Sequence, residues 1–258
     1  MSEPTAEPVR PLFIVGNPRT GSTLLSTLLL QHPDVHVHGE LFHTVENERQ
    51  GTHAMRQRRK AWFDPDNDDA ILFLDEHVFG VGSDYLERPV SVVGVKIFAD
   101  HVSSGGASHL FRRIRAHYPQ AVILHMRRDD YLSALISLEF AQRGHQWVNW
   151  SHDVQEREKV RPFSIDIARA RAFFASMYRA DSFFALRFSG PGYVAVEYAD
   201  LVADVPGTME GVFGALGVPP AEVSTVTQKQ VQSADWKLVE NLPELQAEFE
   251  AFTTAQEV

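Results

Sequence analysis

The stretch that most constrains the fold is PLFIVGNPRTGSTLLSTLLLQH, residues 11–32. A short apolar run, a turn-rich segment and then leucines at helical spacing read as a buried strand that feeds a helix through a tight loop. The loop, GNPRTGST from Gly16 to Thr23, keeps the glycine register of the triphosphate-binding pattern G-x-x-x-x-G-K-[ST], with Ser22 where that pattern has lysine. Gly16 and Gly21 permit the turn and the close approach that let backbone N–H groups converge on an anion, and the following helix adds its positive N-terminal end. Arg19 offers a planar, permanently charged fork in place of the lysine's point charge, and Thr20, Ser22 and Thr23 add hydroxyl donors. The expectation is an anion site that does not hold a triphosphate. The plainer reading, a strand-to-helix turn that uses glycine and serine for capping alone, is weakened by a second signature further along.

That signature is HMRRDDYLSALISL, residues 125–138. It places Arg127 and Arg128 at the end of a buried strand, where ligands of parallel sheets collect. Asp129 or Asp130 is placed to cap the next helix, and Ser133 and Ser137, four apart, share one of its faces. Either hydroxyl completes a phosphate site with an arginine. The competing reading makes both arginines ordinary surface ion-pair partners.

SVVGVKIF (91–98), AVILHM (121–126) and YVAVEY (193–198) are further β-branched runs, so four strands separated by helical patterns imply a parallel sheet covered on both faces. The predicted fold is α/β, a P-loop-type parallel sheet flanked by helices on both faces. It forms a single domain over 11–258 after a disordered leader over 1–10. Helices are predicted at about 23–31, 107–117, 130–143, 164–188 and 207–216, with one more near the C-terminus. RQRRKAWFDPDNDDA (56–70) switches from basic to acidic around a turn and reads as a solvated excursion.

A formal net charge of −10 disfavours general affinity for nucleic acid or anionic membranes. The chain has no cysteine, which excludes disulfides and thiolate metal sites and suits a reducing, cytoplasmic setting. MSEPTAEPVRP lacks the basic start and apolar run of a signal peptide, and no apolar stretch approaches the roughly 20 residues of a membrane span. No stable membrane insertion is expected.

With these motifs in view, the chain resembles a known family. FIVGNPRTGSTLLSTLLLQHPDVHVHGELF looks like the 5'-phosphosulfate loop of sulfotransferases, and VILHMRRDDYLSALIS looks like their 3'-phosphate segment, especially in bacterial members similar to the Nod-factor and trehalose sulfotransferases. VGVKIF, GHQW and VEYADLVAD are further echoes, with a weaker one in TQKQVQSADWKLVEN. The resemblance implies the donor 3'-phosphoadenosine 5'-phosphosulfate, with no metal required, and accounts for the absent lysine. A sulfuryl group carries less negative charge than a terminal phosphoryl group, so loop donors and arginine replace the lysine and metal pair. Many members read R-N-P-x-D-x-x-x-S; here the eighth residue after Arg128 is Ile136, and Ser137 follows it. Arg128 with Ser137 is the favoured pair and Ser133 the alternative.

The resemblance also implies roles. Glu40, in GELF, resembles the glutamate base of bacterial relatives; its other reading is a helix-start carboxylate that complements the dipole. His36, His38 and His43 are rivals, because imidazole titrates near neutral pH. HGELFH is not H-E-x-x-H, and the alternation of His36 and His38 reads as an extended segment with its rings on opposite faces, so no metal site is expected. Members that read G-x-K place the lysine beside the phosphosulfate, which assigns Lys96 to the departing oxygen; the alternative is an edge-strand lysine reaching solvent. Lys229 has a weaker claim through QKQ. Trp147 and Trp150, in GHQWVNW, fall near the acceptor by resemblance, with core packing as the competing reading.

The expected activity is sulfuryl transfer by in-line displacement to a hydroxyl of a small glycan, glycolipid or secondary metabolite. The alternative is a phosphotransferase or nucleotide-binding protein with a degenerate loop, for which ILFLDE (71–76) would be the metal-positioning strand. The acidic, turn-rich approach to ILFLDE favours a helix there.

Overall fold

The computed structural model describes residues 9–42, 69–79, 89–99, 107–148, 160–227 and 231–256. Five parallel strands form one sheet in the order β2–β3–β1–β4–β5: β1 (Arg10–Gly16), β2 (Val35–Glu40), β3 (Val92–Phe98), β4 (Val122–Arg127) and β5 (Tyr193–Glu197). The strand period of two sorts β1 between two cores. Leu12 and Ile14 face the helices α1 (Ser22–Leu29) and α7 (Val205–Leu216), where Leu25, Leu28, Val212 and Phe213 are buried. Phe13 and Val15 face α2 (Ala70–Leu74), which continues as one π turn over Asp75–Phe79, and α3 (Ala107–His117). The helical expectation for ILFLDE therefore holds.

A third cluster lies beside the sheet, where α4 (Tyr131–Arg143), the long α5 (Ile167–Phe188) and α8 (Leu242–Gln256) pack through Leu135, Phe174 and Leu245. A short α6 (Tyr198–Ala203) follows β5 directly, and a 3-10 turn spans Ser233–Leu238. Among the described residues, no helix is long and apolar enough to cross a membrane.

The sheet has one strand more than the sequence reading. VHVHGE forms β2 at the sheet edge, so Glu40 ends a strand and does not start a helix. His36 and His38, two apart on a strand, share a face, with ring centroids 4.5 Å apart, and the opposite-face reading is corrected. Lys96 is no edge residue, since β3 lies between β2 and β1. β1 begins at Arg10, one residue inside the expected leader; residues 1–8 lie outside the described residues, as do most of the 56–70 excursion, His43, Trp150 and Lys229.

The topology fixes where a ligand collects. The chain leaves β1 toward β2 on one side of the sheet and later crosses to β4 and β5 on the other. The carboxyl ends of β1 and β4 thus flank a topological switch point, where the two connections diverge and leave a crevice.

Candidate active site

The loop after β1 is shaped by close backbone approach. Gly16 has φ +152°, and a Cβ there would stand 2.5 Å from the Met126 carbonyl oxygen on β4. Gly21 (φ +96°) is the N-cap of α1, and a Cβ there would meet the Tyr198 ring at 2.5 Å. Between them Arg19 adopts the left-handed conformation, φ 66°, a strain of order 1 kcal/mol that its surroundings hold in place. The Thr20 hydroxyl, fully buried, donates to the Asn17 carbonyl at 2.7 Å. It closes the loop and does not face the cleft.

Two guanidinium groups converge on the crevice. Arg19 donates through Nε (3.1 Å) and Nη2 (2.8 Å) to Ser137 Oγ, and through Nη1 to the Trp147 carbonyl at 2.8 Å. Arg128, immediately after β4, donates to the Arg19 carbonyl at 2.8 Å and to Ser133 Oγ at 2.7 Å, and lies 4.6 Å over the Tyr198 ring. The favoured pair, Arg128 with Ser137, is thus not formed. Ser133 sits in the first turn of α4, beside the strand end, whereas Ser137, one turn on, meets the loop. Asp130 caps α4 by accepting from the Ser133 N–H at 2.9 Å. Arg127 turns away into an ion pair with Glu197 at 2.8 Å.

Burial, and next the neighbouring Arg128, push the Arg19 guanidinium down to about 10; burial lowers Arg128 as well. Both remain cations at neutral pH, held where water solvates them poorly. Among the described residues no carboxylate pairs with Arg128, and its buried Nε has no hydrogen-bond partner. The arginines, Ser133, Ser137, Ser22 and Thr23 line a cleft of 330 Å³ together with apolar groups, among them Val202, Val205, Val231, Trp236 and Trp147.

Next to this cleft lies a second charged pair. Lys96 is buried (6% exposed), and its Nζ stands 2.8 Å from Glu40 Oε1 and 3.5 Å from the Thr23 hydroxyl. A bulge between His38 and Glu40 brings Glu40 into register with Lys96. Thr23 is the hinge of the arrangement, touching Lys96 and lining the cleft. Among the described residues no group of three or more histidine, aspartate or glutamate side chains is arranged to hold a metal ion.

The sequence reading missed Tyr198 and Trp236 as cleft residues, although both lie in segments it quoted. The available signal was position: Tyr198 directly follows the strand beside β4.

The model of the sulfotransferase family matches residues 11–222 of this chain. The chain belongs to the sulfotransferase family. It is 26% identical over 247 residues to nodulation protein H of Rhizobium meliloti (strain 1021), covering 94% of this chain and 92% of that protein. Among solved structures, the sulfotransferase domain from the curacin biosynthetic pathway aligns with TM-score 0.54 at 14% identity, covering 96% of this chain and 98% of that one. A sulfotransferase from Alicyclobacillus acidocaldarius aligns with TM-score 0.49 at 20% identity, covering 95% and 96%. The likeness to the curacin domain supports the P-loop-like α/β fold, and the family establishes a transferase of sulfuryl groups. The loop without lysine belongs to a sulfotransferase, and the phosphotransferase alternative is set aside.

Proposed function

We propose that this sulfotransferase takes its sulfuryl group from 3'-phosphoadenosine 5'-phosphosulfate and delivers it to a hydroxyl of a small glycan, glycolipid or secondary metabolite. The observation that carries the reading is the convergence of Arg128, buried, and Arg19, half-buried, each hydrogen-bonded to a serine of α4, on one cleft. Two cationic sites with hydroxyl and loop N–H donors match a ligand that carries an anion at each end of a nucleoside. The orphaned Arg128 Nε adds an unfilled donor to that fit.

When bound, the donor supplies a sulfuryl group on a phosphate leaving group: the S–O bond to the acceptor forms as the S–O bond to phosphate breaks. Arg19, the N–H groups over Gly21–Thr23 and the hydroxyls of Ser22 and Thr23 hold the phosphosulfate end. Arg128 holds the 3'-phosphate with Ser133, while Ser137 supports Arg19 from the same helix. Glu40 accepts the acceptor's hydroxyl proton, and Lys96 offers positive charge to the oxygen that departs. The 2.8 Å ion pair sets the Glu40 carboxylate beside Lys96, whose Nζ also reaches the Thr23 hydroxyl at 3.5 Å at the edge of the cleft. Trp147, 40% exposed and part of the cleft lining, is the aromatic contact assigned to the acceptor in this reading.

An acidic protein matches a highly anionic polysaccharide poorly, which favours the small acceptors. The cysteine-free sequence suits the cytoplasm. The test is calorimetric titration of wild type and Arg19→Ala with 3',5'-adenosine bisphosphate, with and without chelator, beside magnesium-ATP. Binding of the bisphosphate that ignores chelator, is weakened by the substitution and exceeds that of ATP is the expected result. A preference for magnesium-ATP overturns the donor assignment.

A further inference from the structure

Beneath the surface, outside the lining of the cleft, several polar groups converge on one carboxylate. The buried positions of α5 are Ala170, Phe174, Met177, Asp181, Phe184 and Phe188, a stripe at helical spacing with one charged residue in it. Asp181 is 4% exposed and does not line the cleft. Asn17 Nδ2 donates to its Oδ1 at 3.0 Å and to the Met177 carbonyl at 3.2 Å. The Tyr131 hydroxyl donates to its Oδ2 at 3.1 Å, and His125 Nε2 stands 3.3 Å from Oδ1. His125 Nδ1 in turn lies 2.8 Å from the Tyr193 hydroxyl.

One protonation pattern satisfies every member. The Tyr193 hydroxyl pairs with Nδ1, Nε2–H donates to Asp181, and the carboxylate receives His125, Asn17 and Tyr131 together. Burial, and next Asp181, push the Tyr131 phenol upward, and burial raises Tyr193, so both keep the protons they donate. A hydrophobic residue at 181 would continue the stripe and avoid burying a charge, so stability does not explain the aspartate. Its partners do. Asn17 belongs to the loop that carries Arg19, and Tyr131 opens the helix that carries Ser133 and Ser137.

We propose that Asp181 is a positioning residue that fixes the spacing between the two anion-binding segments, the Gly16–Thr23 loop and the start of α4, by holding Asn17 and Tyr131 on one carboxylate. The proposal rests on the bisphosphate-type donor reading above. A ligand that spans both segments gains from correct spacing, whereas a ligand that touches one segment does not.

The experiment measures binding of 3',5'-adenosine bisphosphate, 5'-AMP and 3'-AMP to wild type, Asp181→Asn and Tyr131→Phe, each checked for folding by its circular dichroism melt. An amide at 181 leaves the Tyr131 hydroxyl without its acceptor, and Tyr131→Phe removes that donor while keeping carboxylate and ring. Wild type should prefer the bisphosphate, and each variant should lose about tenfold of that preference while the monophosphates bind within about threefold of wild type. A preference unchanged in the variants overturns the role of Asp181 and leaves the donor reading standing. So does a parallel loss for all three ligands, which marks a merely structural residue. A wild type with no preference for the bisphosphate overturns donor reading and proposal together. If Asp181→Asn fails to fold, Tyr131→Phe decides.

Discussion

Glu40 and Lys96 meet because a bulge at the end of an edge strand turns one carboxylate onto the neighbouring strand's only buried cation. If Glu40 is the base, Glu40→Gln keeps the shape and a hydrogen bond to Lys96 but removes the proton acceptor. Turnover should fall by about 100-fold or more, with bisphosphate affinity largely retained in calorimetry. Unchanged turnover returns the role to the rival histidines, His36, His38 or His43. At this scale the sequence carried the residue types: the glycine register, Arg19, Arg128 and both serines were legible because loop spacing and strand ends are local properties. Their pairing was not. Whether Arg128 meets Ser133 or Ser137 depends on how α4 rotates against the loop, and that rotation is set by Leu135 and Ile136 packing on distant helices. Thr20 likewise carried the right hydroxyl in the right motif, yet its rotamer spends it on the Asn17 carbonyl.

Elements place these residues through a few close backbone approaches, and the two loop glycines differ in how a methyl group would be accommodated. At Gly16 the obstructing atom is the backbone carbonyl of Met126, fixed in the central ladder, whereas at Gly21 it is the Tyr198 ring, which can turn at the expense of its stacking on Arg128. Gly16→Ala should therefore lower the free energy of unfolding by about 3 kcal/mol or more, read from urea midpoints. Gly21→Ala should cost less stability but weaken bisphosphate binding, because the displaced ring lies under the Arg128 guanidinium. Asp130→Ala removes the side-chain cap of α4 and should cost about 1 kcal/mol in the same assay. Four strands and seven helices, α2 over ILFLDE among them, were legible as β-branched runs, helical periodicity and turn signals. β2 was missed because VHVHGE is short, half polar and at an edge, where one neighbour and no full burial leave only weak alternation. The short α6 was missed because its signal is buried in the YVAVEYADL run, where strand passes to helix without a turn.

Across the whole molecule the cleft is where separately packed layers come together: the loop from the sheet, α4 from the third cluster, α6 behind β5, and Trp236 from the segment before α8. An acidic chain of net charge −10 concentrates two guanidinium groups there, Arg128 buried and Arg19 half-buried, and their desolvation, which lowers both, is a solvation cost that the folded protein bears. That cost is present at neutral pH, where Arg19 is charged, and a bound anion relieves it. A ligand with two phosphate groups across the cleft should thus stabilise the entire fold and not the loop alone. At one hundred times its dissociation constant, 3',5'-adenosine bisphosphate should add about 2.7 kcal/mol, a rise in melting temperature of roughly 5–10 °C for a chain of this size. Arg19→Ala should abolish most of that rise, and chelator should leave it intact. A shift obtained only with magnesium and a triphosphate would instead mean that the loop cradles a different anion. A rise of equal size in Arg19→Ala would place the bisphosphate outside the cleft altogether.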